Sequence, residues 1–132
     1  MKDAELYNGT VLAYVGDAVI ELFVRQKLLS TGISDTGRLS ALALRFVTAT
    51  AQSEAFGCAE EMLTEAELDI YRRGRNAAVS HHPKNQKMAD YRRATGFEAL
   101  VGYLHLKGED KRAYEILEKA YEKVIESLDF TE

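Results

Sequence analysis

The sequence predicts an all-α domain, and two observations predict it. Apolar residues recur at intervals of three and four, and the strict alternation that a half-buried strand needs is rare. The chain holds one proline, Pro83, and shows no Gly/Ser linker, internal repeat or low-complexity tract. At 132 residues it is read as one domain, 1–132. Folding at that size buries roughly two thirds of the unfolded surface, enough for a core without staples.

The elements follow in order. A first long helix runs from about Asn8 to Leu29, with Leu12, Val15, Val19, Leu22 and Phe23 as its apolar face and Gly32 placed for a C-terminal cap. A second starts after Ser34-Asp35, near Gly37, and ends near Val47. A third covers about Ala49 to Met62. Thr64-Glu65-Ala66-Glu67 reads as a capping box that opens a fourth helix, Glu65 to about Ala77. Ser80-His81-His82-Pro83-Lys84-Asn85 reads as a loop, because Pro83 also restricts His82. A fifth helix spans about Gln86 to Leu106 and ends at Gly108. A sixth, Glu109 to Leu128, carries Tyr114, Leu117, Tyr121, Val124 and Leu128 at helical spacing. Tyr7, Tyr14, Tyr71 and Tyr103 read as core or interface.

Composition removes several function classes. Hydrophobic residues make up 46%, which excludes a disordered chain. One cysteine, Cys58, excludes an internal disulfide and reads as a small buried apolar residue. The start, Met1-Lys2-Asp3-Ala4-Glu5, lacks the basic-then-apolar pattern of a signal peptide. No apolar run approaches the ~20 residues that cross a bilayer. The expected setting is soluble, cytoplasmic and away from membranes.

The charge is unevenly spread. Between Arg72 and Arg93 stand seven basic residues (Arg72, Arg73, Arg75, Lys84, Lys87, Arg92, Arg93) and one acid, Asp90. That window is net +6, which leaves −10 on the rest of a chain whose total is −4. A basic island in an acidic body is the footprint of a polyanion site, with a solvated helix surface as the bland alternative.

Two carboxylates interrupt apolar helical segments. Asp17 sits in Leu12-Ala13-Tyr14-Val15-Gly16-Asp17-Ala18-Val19-Ile20-Glu21, and an ionised group there is costly without a partner. Ala13, Asp17 and Glu21 share one stripe, and Gly16 lets another backbone or a large ligand come close. Glu98 sits in Thr95-Gly96-Phe97-Glu98-Ala99-Leu100-Val101-Gly102-Tyr103-Leu104, where Gly96 and Gly102 favour close packing. If these helices cross, the two acids meet, and paired carboxylates repel unless a cation joins them. Magnesium suits such a site, because it takes oxygen ligands, keeps several waters and binds phosphates.

These same segments resemble a known family. Gly16-Asp17-Ala18-Val19 resembles the ribonuclease III signature, and Phe97-Glu98-Ala99-Leu100-Val101-Gly102 the family's second catalytic block. The closer likeness is to the Mini-ribonuclease III branch, a catalytic domain without a double-stranded-RNA-binding domain. Arg73-Gly74-Arg75-Asn76-Ala77, Pro83-Lys84-Asn85 and Tyr91-Arg92 agree with it, in order, across most of the chain. The resemblance implies an all-α ribonuclease III-type endonuclease domain of about six or seven helices. It implies a homodimer that uses magnesium (Mg2+) to hydrolyse phosphodiesters in double-stranded RNA. The implied substrate is precursor large-subunit (23S) ribosomal RNA, with a ribosomal protein or particle as a further partner.

Asp17 and Glu98 then match the family's catalytic, metal-holding acids. Full-length ribonuclease III has two further carboxylates where this chain has Ala13 and Thr95, and the Mini branch resembles this chain in that reduction. One tightly held magnesium per site is expected, with a second recruited with RNA. Thr95 and Glu21 are expected to support the ligands from behind. For Glu21 a plain salt bridge with Arg25, four residues on, is an equal reading. Arg73, Arg75, Asn76, Lys84 and Asn85 are the expected RNA contacts, reading A-form RNA by backbone and 2′-hydroxyls. His81 and His82 are expected to touch phosphate rather than do chemistry. For Arg72 plain surface solubility is the alternative reading, because neighbours on a helix point different ways. A two-fold dimer would supply one acid pair per RNA strand, and the first helix, with Phe23 and its neighbours, could form its interface.

Besides the bland reading of a helical interaction domain with an incidental charge patch, two rival classes remain at this stage. One is a catalytically inactive RNA-binding module of the same fold, whose mark would be loss of the central acids; this chain keeps both. The other is an all-α nucleotide pyrophosphatase, which clusters acids at Glu-x-x-Glu spacing. Glu118 and Glu122 are four apart, but they read as a solvated face.

Overall fold

The computed structural model describes residues 2–78 and 87–128. Among the described residues there are six α-helices, two short 3-10 turns (Ala4–Leu6 and Glu60–Met62) and no strand. The helices are α1 (Gly9–Leu29), α2 (Thr36–Val47), α3 (Ala49–Ala59), α4 (Glu65–Ala77), α5 (Met88–Leu106) and α6 (Asp110–Ser127). No helix among them is long and apolar enough to cross a membrane. The proline loop around His81, His82, Lys84 and Asn85, and Gln86 at the expected start of the fifth helix, lie outside the described residues.

The helix starts are set by short polar side chains. Asn8 Oδ1 accepts from the Val11 amide at 2.9 Å and so caps α1. Asp35 accepts from the Arg38 amide at 2.9 Å at the start of α2, and Thr48 from the Ala51 amide at 3.2 Å at the start of α3. Thr64 and Glu67 form the reciprocal box expected of them, at 3.1 and 2.9 Å. The chain leaves α1 through Gly32 and α5 through Gly108, both at positive φ (95° and 77°), where an L side chain would be strained. The third helix is shorter than its periodicity suggests: its last turn, Glu60–Met62, tightens to 3-10 geometry.

α5 is the centre of the fold. It packs against α1, α3, α4 and α6, which explains why its sequence is apolar on nearly every side. Its closest partner is α1, and the two cross backbone to backbone. A Cβ added to Gly102 would stand 2.8 Å from the Gly16 amide nitrogen, and one added to Gly16 would stand 2.6 Å from the Glu98 carbonyl carbon. Neither position can hold a side chain without moving a helix. α4 also approaches closely on another side, with Gly74 against Thr95, Gly96 and Ala99 of α5.

Aromatic rings fill the space beneath. Phe56 stacks on Tyr71 with centroids 3.8 Å apart, and Tyr121 packs against Phe23, Phe46 and Phe97. The buried Tyr121 hydroxyl donates to the Phe46 carbonyl at 2.7 Å, so the ring costs the core no unsatisfied group. Arg112 of α6 fastens α4. Its guanidinium donates to both Glu67 carboxylate oxygens and to the Met62 carbonyl, each at 2.8 Å. That guanidinium holds the Glu67 carboxyl below the usual carboxylate range.

Two faces differ from expectation. On α1 the core side is Leu12, Ile20, Phe23, Val24 and Leu28, whereas Leu22 is exposed and Val15 and Val19 are half-buried. The helix is apolar on more than one side, so spacing alone does not say which side faces in. Phe23 stacks on Tyr114 and Tyr121 and is buried within the domain. Cys58 is a free thiol and only half-buried.

Candidate active site

The α1–α5 crossing decides where the two isolated acids stand. Gly16 presses on the Glu98 carbonyl, and the next residue on α1 is Asp17. The Asp17 and Glu98 side chains consequently meet in hydrogen-bond contact at the crossing. Asp17 is exposed and Glu98 half-buried, so the pair has one wet and one dry member. Burial pushes the Glu98 carboxyl up to about 8, and the Asp17 carboxyl beside it adds to the rise through the hydrogen bond and its charge. Gln52, buried on α3, opposes that rise by hydrogen bonding to Glu98, and the more distant Glu21 charge adds to it. Tyr121, from α6, lies under the site: burial raises its hydroxyl above the ordinary tyrosine range, with the nearby Glu98 and Glu21 contributing.

The donor set fits a magnesium ion. Two carboxylate oxygens on rigid helices, one open to solvent, suit a hard cation that keeps most of its own waters and also takes phosphate oxygens. Among the described residues no cluster of three or more His, Cys, Asp or Glu side chains could hold a metal, so the protein would supply few of the ligands. Glu21 stands near enough for its charge to act on Glu98, yet it also pairs with Arg25 at 3.5 Å. Glu21 therefore has a contact with Arg25 and only a charge effect on Glu98.

Thr95 is buried, and its hydroxyl donates to the Tyr91 carbonyl one turn back on α5 at 2.9 Å. Its backbone carbonyl lies against Gly74 of α4. The contacts of Thr95 thus serve the packing of α4 on α5, one turn from Glu98.

The basic island divides. Arg73 is half-buried, and its guanidinium donates to the Glu5 and Tyr7 carbonyls at 3.1 and 2.5 Å, tying the N-terminal turn to α4. Arg72 pairs with Asp69 at 3.1 Å and Glu65 at 4.0 Å along its own helix. Arg75 lies over the Tyr71 ring, 5.7 Å from its centroid, and donates to Asn76 Oδ1 at 3.2 Å. Burial raises the Tyr71 hydroxyl, while the charges of Arg75 and Arg93 pull it down, so these two cations flank one ring. Arg92, Arg93 and Lys87 are exposed at the start of α5. Lys84 and Asn85 lie outside the described residues.

The acids at 118 and 122 do not form a second site. Both are exposed, and they pair with Lys27 (2.5 Å) and Lys119 (3.9 Å). Gln52 is the site residue that sequence reading passed over. Its signal was faint: one amide among the small residues of Thr48-Ala49-Thr50-Ala51-Gln52-Ser53, with nothing to say which helix it would meet.

Residues 10–109 match the family model described as Ribonuclease III domain. A Mini-ribonuclease 3 from Enterococcus faecalis is 43% identical over 129 residues, covering 96% of this chain and 98% of the relative. One from Symbiobacterium thermophilum is 49% identical over 109 residues, covering 83% and 84%. A crystal structure of a protein from Fusobacterium nucleatum superposes with a TM-score of 0.83 at 27% identity, covering 94% of this chain and 99% of that one.

Proposed function

Because the chain belongs to the ribonuclease III family, we propose that it is a magnesium-dependent endoribonuclease that cuts double-stranded RNA at the Asp17–Glu98 pair. The whole chain acts as one catalytic domain, in the cytoplasm. The observation that carries this reading is the crossing itself: two acids, 81 positions apart in sequence, meet on the central helix against which α4 also packs.

Asp17 and Glu98 hold the ion. Bound there, magnesium supplies the positive charge that activates water and offsets charge on the scissile phosphate. The protein's own part is positioning. Glu98, gripped on its dry side, gives the pair a fixed orientation, while Asp17 faces the solvent from which RNA arrives. Arg75, Asn76, Lys84 and Asn85 bind the RNA backbone, with Arg73 shaping the surface they stand on. Glu21 supports the pair from one turn along α1, and Thr95 sets the local path of α5. No side chain needs to become a nucleophile.

A homodimer completes the site for a duplex, one acid pair per strand. What supports it is the outer side of α1, where Val11, Tyr14, Leu22 and Leu29 are exposed; Tyr14 and Leu22 are 82% and 52% accessible. Such an apolar row is unusual on a monomer. The proposed substrate is precursor 23S ribosomal RNA, met on its own or in a ribosomal particle, as the resemblance implies.

The test is cleavage of a labelled RNA duplex by the purified protein with magnesium, beside Asp17→Asn and Glu98→Gln. Both substituted proteins are expected to bind the duplex and leave it whole. Equal cutting by all three would overturn the assignment.

A further inference from the structure

Three helices meet around one aromatic pair. The Tyr71 ring of α4 stacks on Phe56 of α3, with centroids 3.8 Å apart and planes 6° from parallel. α5 runs against both rings. A Cβ added to Gly96 would stand 2.6 Å from Tyr71 Cε1, and the next residue, Phe97, meets the Phe56 ring edge-on with centroids 6.4 Å apart. Tyr71 is buried, so its ring is a fixed platform packed from two neighbouring helices.

A cation stands one turn from this stack on each of two helices. Arg75 follows Tyr71 by one turn of α4, and its guanidinium lies over the ring, 5.7 Å from the centroid. Its Nε–H donates to Asn76 Oδ1 at 3.2 Å, which orients it further. Arg93 precedes Gly96 by three positions and Phe97 by four, the spacings that share a helix face. Arg93 therefore belongs to the face of α5 that carries the stack, and it is exposed. Consistent with that placement, the charges of Arg75 and Arg93 both act on the Tyr71 hydroxyl, as does the charge of Glu60, one turn after Phe56.

The neighbouring arginines are engaged elsewhere. Arg72 pairs with Asp69 and Glu65, and Arg73 holds two backbone carbonyls. Arg75 and Arg93 form no ion pair among the described residues. Two guanidiniums on one platform repel each other, and an anion between them relieves the repulsion. Their planar forks match phosphate oxygens in particular.

We propose that Arg75 of α4 and Arg93 of α5 share one backbone phosphate of double-stranded RNA, in a cradle whose floor is the Tyr71–Phe56 stack. This rests on the reading of the chain as a double-stranded-RNA enzyme. Arg93 stands five positions before Glu98, roughly 140° around α5 at 3.6 residues per turn, so the phosphate gripped is not the scissile one. Duplex RNA is held through backbone contacts spread along it, and a grip away from the cut helps to set the strand on the acids.

The experiment measures affinity for a labelled RNA duplex with magnesium present. Every protein compared carries Asp17→Asn, so that the duplex is bound and left whole. To this parent are added Arg75→Gln, Arg93→Gln and Arg72→Gln singly, and Arg93→Gln combined with each of the other two. Arg75→Gln and Arg93→Gln are each expected to weaken binding about fivefold, the upper end for an exposed ion pair. Two cations on one phosphate are interdependent, so the combined Arg75→Gln and Arg93→Gln protein should fall well short of the product of the single effects. Arg72→Gln, which removes a cation already paired on its own helix, should combine with Arg93→Gln as a plain product. An unchanged affinity in Arg93→Gln overturns the proposal. So does full multiplication with Arg75→Gln, or equal coupling to Arg72→Gln. If the parent does not hold the duplex at all, the reading of the chain as a double-stranded-RNA enzyme falls, and this inference with it. Binding by the parent that Arg93→Gln leaves intact removes the cradle alone.

Discussion

Gly16 and Gly102 face each other across the α1–α5 crossing, and the atom that Gly16 presses on hardest is the carbonyl oxygen of Glu98. One missing side chain thereby fixes the register between the two acids. Gly16→Ala forces the helices apart, at a cost of about 1–3 kcal/mol or more by the usual scale of overpacking. Chemical denaturation should show that loss. RNA cleavage per folded molecule should fall as well, because the acids separate.

The raised carboxyl of Glu98 makes stability depend on pH in the metal-free protein. Its value is about 8 in the fold against an ordinary 4.5. Below the ordinary value both folded and unfolded chains hold the proton, and the fold bears no penalty. Between the two values the unfolded chain releases a proton that the folded chain keeps, so stability falls as pH rises, and it levels off above the upper value. Glu98→Gln removes this slope. Its thermal midpoint should match the unsubstituted protein near about pH 5 and exceed it by several degrees near about pH 8. Magnesium should bind more tightly over the same rise, since the ligand must lose its proton.

Two neighbouring arginines should separate into different classes of effect. Arg73 holds two backbone carbonyls, so Arg73→Met should cost about 1.5–3 kcal/mol of stability. Arg75→Gln should leave unfolding almost unchanged and weaken duplex binding. Its signature is a shallower dependence of affinity on salt, by about one released counterion. Thermal unfolding and binding at several salt concentrations distinguish them.

The exposed row on α1 gives a third kind of measurement. Leu22→Asp puts a charge where the proposed dimer would bury apolar surface, and it disturbs little within the domain because Leu22 points outward. Sedimentation should show the equilibrium shifting to monomer, with the fold intact. An unshifted dimer would place the interface elsewhere.

Much of this was legible beforehand, for physical reasons. A lone carboxylate in an apolar helix is expensive, so Asp17 and Glu98 announce themselves, and glycines at 16 and 102 tell where backbones can touch. Capping chemistry is local, which is why Asn8, Asp35 and the Thr64–Glu67 box mark their helices well. What stayed hidden depends on distant partners. Arg73 reads as a free cation until the Glu5 and Tyr7 carbonyls arrive beside it, more than sixty positions away in sequence. Phe23 and Leu22 are neighbours on a helix with two apolar sides, and only packing decides that one goes in and the other out. Gln52 is ordinary in sequence and becomes notable only against Glu98.

The contact between Gly16 and the Glu98 backbone also ties two kinds of selection together. A substitution that spoils the helix crossing cannot spare the proposed acid pair, so on that reading a library screened for soluble expression alone would already purge many inactive variants at positions 16 and 102.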